Sequence, residues 1–155
     1  MNLVTVYDKL IAIFEREWTR YKVDGGQDLA PVGQNRKGVY QGFPMTLMDY
    51  PCLGIMPADG DQELAGSNNC EDITNEFQIY FYAFDFRNEQ SARLVLEMDH
   101  AVNEIIKNNR QLDGLVDQVT VTTTQRGEFL RRAFDGAEII ACGGMKTIKI
   151  EEIAV

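Results

Sequence analysis

Asn75-Glu76-Phe77-Gln78-Ile79-Tyr80-Phe81-Tyr82-Ala83-Phe84 is the stretch on which the reading of the fold turns. It is dense in aromatic and β-branched residues, which suit a pleated, half-buried surface. Phe77, Ile79, Phe81 and Ala83 alternate with Gln78, Tyr80, Tyr82 and Phe84, the period-two pattern of a strand. Asp85 to Arg87 break the run, and Asn88 then offers a helix N-cap, with Glu89 adding negative charge to the first turn. Leu94, Val95, Met98, Ala101, Val102, Ile105 and Ile106 recur at helical spacing, which gives the next element one apolar stripe. Lys107 and Arg110 suit the carbonyl end of that helix, and Asp113-Gly114 stops it. A strand feeding a long helix that returns to Val119-Thr120-Val121 reads as a crossover connection. If its two strands are parallel in one sheet, the crossover is expected to be right-handed.

Upstream, residues 2–22 read as a first helix, with Thr5 and Asp8 as a capping pair. Leu3, Val6, Leu10, Ile13, Phe14, Trp18 and Tyr21 share its apolar stripe, while Glu15, Arg16, Glu17, Arg20 and Lys22 cover the other side. The single tryptophan, Trp18, is expected to anchor the core. Downstream, Val119, Val121 and Thr123 alternate with Gln118, Thr120, Thr122 and Thr124 as a strand. Asp135-Gly136 is a hairpin-turn dipeptide, and Ala137 to Cys142 extend the hairpin until Gly143-Gly144 interrupts it. Residues 145–152 form the last strand, with Ile148 and Ile150 inward and Thr147, Lys149 and Glu151 outward. The expected class is α/β in the α+β sense: a mixed sheet of about four strands, two helices on one face, in the order α-β-β-α-β-β.

Two stretches lack that order. Residues 24–48 carry five glycines and two prolines without periodicity, and read as a long loop or extended arm. Its Gly33-Gln34-Asn35-Arg36-Lys37-Gly38 lacks the Lys-Ser/Thr ending of a phosphate-binding loop and follows no strand. Leu47 to Met56 read as a short strand broken by Pro51 and Gly54 and ended by Pro57, hence an edge or bulged strand. Residues 57–73 read as a polar, acidic hairpin loop. A calcium loop needs glycine at its sixth position and glutamate at its twelfth. Counted from Asp59, those positions hold Leu64 and Cys70, so the motif fails.

The chain has 155 residues, 45 % hydrophobic and 25 % charged, which makes one ordinary globular domain (1–155) the expectation. A net charge of −9 argues against a surface that neutralises nucleic-acid phosphates. Three widely spaced cysteines fit buried thiols in a reducing compartment better than a metal site or disulfide framework. With no basic-then-apolar start and no apolar run near ~18 residues, the expectation is a soluble, intracellular chain that engages no membrane. His100 has Asp99 as its neighbour, but adjacent helix positions do not face one another, so no catalytic pair forms. Neither catalysis nor a cofactor is expected. Tyr80, Tyr82 and Phe84 point away from the helices if Phe77, Ile79 and Phe81 point toward them. Such a face is either an interface, where tyrosine is enriched, or is covered by a hairpin or by the 24–48 arm.

The order of elements, the Phe77-Gln78-Ile79-Tyr80-Phe81-Tyr82 strand and the helix ending Asn109-Arg110-Gln111-Leu112-Asp113-Gly114-Leu115-Val116 resemble the tail terminator (tail completion) proteins of tailed bacteriophages. In that family a helix commonly ends in an N-R-x-L-x-G-L-V-like turn. Here glycine would support the turn while Leu112, Leu115 and Val116 tuck it against the sheet. The resemblance implies a non-catalytic virion protein at the tail–neck junction, assembled in the host cytoplasm. It implies a homo-oligomeric ring, usually of six subunits, that caps the tail tube protein and docks a head-side connector, with DNA passing through unbound. A head-closure or connector protein of the same virion is the neighbouring reading. Candidate interface residues are Tyr80, Tyr82 and Phe84, basic Arg36 and Lys37 in the arm, and Asp59, Asp61 and Glu63 in the acidic loop. The two irregular stretches are expected to order on docking, the acidic one either pairing with a neighbouring arm or lining the channel.

Overall fold

The computed structural model describes residues 2–21, 29, 32–33, 37–42, 46–47, 49–65, 70–83, 88–133, 136 and 138–154. Helix α1 (Leu3–Glu17) continues into a 3-10 turn (Trp18–Arg20). Four short strands follow: β1 (Val32–Gly33), β2 (Val39–Gln41), β3 (Thr46–Leu47) and β4 (Asp49–Tyr50). The long elements are β5 (Cys52–Ala65), β6 (Cys70–Ala83), α2 (Asn88–Asn108), β7 (Gln118–Ala133) and β8 (Glu138–Ala154). The protein is α+β with two helices and a mixed sheet, the expected class, but the element order and strand count differ from the expected α-β-β-α-β-β with about four strands: four short strands intervene between the first helix and β5. The main sheet has six strands in the order β2-β5-β6-β8-β7-β3. β1 and β4 form a separate antiparallel pair.

β6 and β7 both run antiparallel to β8, so they are parallel to each other with β8 between them. The crossover through α2 is therefore present, with a strand inserted between its two ends. The helices share one face of the sheet. Val6, Leu10, Ile13, Phe14 and Trp18 pack with Val95, Met98, Ala101, Val102 and Ile105 over Phe77, Ile79, Phe81, Ile148 and Ile150 in a single core. Tyr7 stacks on Phe77 with ring centroids 5.7 Å apart. The stripes of both helices and the inward set of the central strand thus follow from period 3.6 and period two. Burying these side chains contributes roughly 1.5–3 kcal/mol each, the dominant favourable term for the fold.

Several boundaries differ from the sequence reading. The N-cap of α1 is Asn2, whose side chain accepts from the Val4 and Thr5 amides, in place of a Thr5–Asp8 pair. Leu3 lies off the buried stripe and is 42 % exposed. Residues 57–65 and 70–73 are not a loop. They carry β5 and β6 outward as a ribbon with Asp61 opposite Thr74, Glu63 opposite Asp72 and Ala65 opposite Cys70. Strand β8 supports it by pairing Glu151 to Ala154 with Thr74 to Glu71. Composition hid this ribbon, because Asp, Gly and Asn are poor strand formers. Pro57 does not end β5 but opens a register shift that closes at Gly60, a bulge of the kind proline favours.

Gly143-Gly144 does not interrupt β8. A Cβ on Gly143 would stand 2.5 Å from the Phe81 carbonyl oxygen and 2.6 Å from the Tyr82 ring, and one on Gly144 would stand 2.6 Å from the Phe81 ring. These glycines are the space into which two aromatic rings of β6 fold. The 24–48 arm contributes β2 to one edge of the sheet and β3 to the other, beside Arg132 and Ala133 of β7.

Candidate functional site

Tyr82 is buried within the single chain, beside buried Cys52, with Tyr40 and Tyr80 packed half-exposed around them. The second face of β6 is therefore closed at this end by the arm itself, through Tyr40 of β2. Lys37 stands 5.6 Å above the Tyr40 ring as a cation–π contact. Tyr80 donates its hydroxyl proton to Gln78 Oε1 at 2.7 Å. Three of the sequence candidates, Lys37, Tyr80 and Tyr82, thus gather at one place, with Tyr82 as small-core filling and Lys37 and Tyr80 at its rim. Arg36 and Phe84 lie outside the described residues, and Asp59, Asp61 and Glu63 lie in β5, away from Lys37 along the strand.

A charged cluster that the sequence reading missed joins α2 to the sheet. Lys146 of β8 is buried, and its ammonium pairs with Asp99 Oδ1 and donates to Thr124 Oγ1 at 2.9 Å. Arg126 of β7 pairs with the other carboxylate oxygen, and Asn103 donates to Oδ1 at 3.4 Å. Burial alone would raise the Asp99 pKa, but the hydrogen bonds and charges of Lys146 and Arg126 outweigh it and hold the carboxyl below its ordinary range. A signal was present. Lys146 falls two residues before Ile148 on the inward period, and an inward lysine requires a partner. His100, next to Asp99, is exposed and meets Tyr21 edge-on at 6.5 Å.

The turn after α2 clasps the two helices. Leu112, Asp113 and Gly114 have φ of +47°, +59° and +85°, a left-handed run in which Gly114 is the unstrained member. Leu112 and Val116 are buried, whereas Leu115 is exposed and does not tuck in. Asn109 donates to Glu17 at 2.9 Å and accepts from Arg16 at 3.2 Å, and Lys9 meets Asp113 at 2.6 Å. The Lys9 hydrogen bond and charge lower the Asp113 pKa. The motif that carries the family resemblance is therefore a brace between the ends of α1 and α2.

The sheet ends in two long edges. Strand β2 covers only Leu53 to Ile55 of β5, and among the described residues nothing pairs with the outer edge from Met56 to Ala65. On the far side β3 covers only Arg132 and Ala133, leaving Gln118 to Arg131 of β7 without an outer strand among the described residues. Where β5 bulges, Leu3, Val4, Tyr7, Pro57, Ala58 and Phe77 border a mostly apolar cleft of about 280 Å³. Among the described residues no group of histidine, cysteine and carboxylate side chains is arranged to hold a metal, and no helix is long and apolar enough to cross a membrane. Comparison with protein-family models and with curated proteins finds no match.

Proposed function

We propose that this chain is a structural virion subunit of the tail-terminator kind, which assembles as a ring, caps the growing tail tube and presents a docking surface to the head-side connector. The observation that carries the reading is the pair of long sheet edges, β5 from Met56 and β7 to Arg131, which lie at opposite sides of one sheet and have no outer strand among the described residues. Exposed edges are liabilities that proteins cover or use, and two different edges on one subunit suit head-to-tail contacts that close into a ring. The braced helix end from Asn109 to Val116 supports the reading through the resemblance of its motif. A net charge of −9 suits a subunit past which DNA must slide without adhering.

The test mixes purified protein with tube subunits that are polymerising. Tubes arrested in length, each carrying a ring at one end in electron micrographs, are expected. Tubes that grow on unchanged would overturn the assignment. Loss of the gene separates the neighbouring reading: overlong tails mark a terminator, whereas normal tails with leaking, DNA-filled heads mark a connector.

A further inference from the structure

The two helices lie over opposite halves of the sheet. Tyr7 of α1 donates its hydroxyl proton to the Ile55 carbonyl of β5 and accepts from the Gly42 amide, which sets α1 on the β5 side. Asp99 of α2 pairs with Lys146 of β8 and Arg126 of β7, which sets α2 on the β7 side. Residues three or four apart share a helix flank. Val4 stands three positions before Tyr7 and exposed Asp8 four after Val4, so both occupy the flank of α1 that turns toward β5. Leu96 stands three positions before Asp99 and occupies the flank of α2 that turns toward β7. Val4 and Leu96 are 68 % and 56 % exposed, and neither belongs to the core of this chain. Beside Val4, just past the stretch of β5 that β2 covers, Leu3, Pro57 and Phe77 border the apolar cleft of about 280 Å³. Beside Leu96, the half-exposed side chain of Arg126 supplies a cation.

We infer that the helices also meet between neighbouring copies of this chain, with Leu96 of one copy seated in the cleft beside Val4 of the next and Arg126 turned toward Asp8. The inference rests on the ring proposed above and names the side-chain contact that accompanies its sheet edges. Cyclic symmetry keeps the helices of every copy on one side of the ring wall. Apposing the β5 edge of one copy to the β7 edge of the next therefore brings the α1 flank of the first against the α2 flank of the second. Within one chain those flanks face away from each other, so Leu96 does not reach its own cleft. A backbone ladder alone tolerates slippage along the strands, whereas an aliphatic side chain in a cleft and a pair of opposite charges fix one register. The contact is heterologous, a knob on one flank and a hole on the other, and it repeats at every joint of a ring.

The test makes Val4→Glu and Leu96→Lys in the full chain, singly and together, and follows assembly by native mass spectrometry over a concentration series, alone and with tube subunits. Both positions are exposed, so the melting temperatures of the dilute variants should match the parent's. Each single variant is expected to need roughly tenfold or more protein to assemble, because a charge then meets an apolar partner. Leu96→Lys is the sharper of the two. It reduces a net charge of −9, so relief of general repulsion would strengthen assembly, whereas loss of the seated leucine weakens it. The double variant is expected to recover most of the loss, since every joint then pairs glutamate with lysine. Single variants that assemble as the parent does, or a double variant no better than the weaker single one, would overturn the contact and leave the ring standing. A parent that stays monomeric under every condition would overturn the ring and this contact with it.

Discussion

Asp99 and Lys146 make a buried pair whose worth depends on both members being present. Removing one leaves the other charged and poorly solvated, so Asp99→Ala should cost about 3–5 kcal/mol in urea unfolding. The double variant Asp99→Leu with Lys146→Met should recover much of that loss, because apolar replacements leave no buried charge. A double variant no more stable than Asp99→Ala would show that the cluster does more than satisfy itself. The depressed Asp99 pKa sets a pH dependence with a definite sign. The unfolded carboxylate titrates near ~4, so the stability it contributes is present above that pH and is lost as the pH falls through the lower folded value. Acid unfolding in Asp99→Asn should accordingly be less steep than in the parent. Gly144→Ala belongs at this scale too: its methyl group would meet the Phe81 ring 2.6 Å away, and a cost of about 1–3 kcal/mol is expected in thermal unfolding. Composition could not announce this glycine's role, since a ring folding over a neighbouring strand depends on a partner 63 positions away in sequence (144 − 81).

The helices and central strands were readable because each has one buried face and a regular period. Ile105 lies in the middle of the α2 stripe, and Ile105→Ala should destabilise by about 2–5 kcal/mol. Tyr82→Ala should cost about as much, because Tyr82 is buried within the chain and not on an open face. A Tyr82→Ala variant of unchanged melting temperature would contradict that placement. The β5–β6 ribbon was not readable. Its residues Asp59, Asp61 and Glu63 keep a period of two, but with acids and glycines where strands normally carry β-branched side chains. What holds the ribbon is pairing, with β6 between β5 and β8 from Glu71 to Thr74. Amides of β6 in that span should exchange slowly in the isolated protein, and exchange as fast as in an unstructured peptide would contradict the ladder.

For the whole molecule, the order of long elements followed from local periods, while the sheet order did not. Placing β8 between β6 and β7, and sending β2 and β3 to opposite edges, depends on contacts that no window of sequence contains. The same topology leaves the two edges on which the proposed ring depends. Subunits that meet through different surfaces close at a fixed number, so a closed ring has one mass and an open chain has many. Native mass spectrometry of the purified chain, at rising concentration and with tube subunits added, therefore tests the ring most directly. A single discrete oligomer, six subunits by the family resemblance, is the predicted result. A strict monomer under every one of these conditions would contradict it.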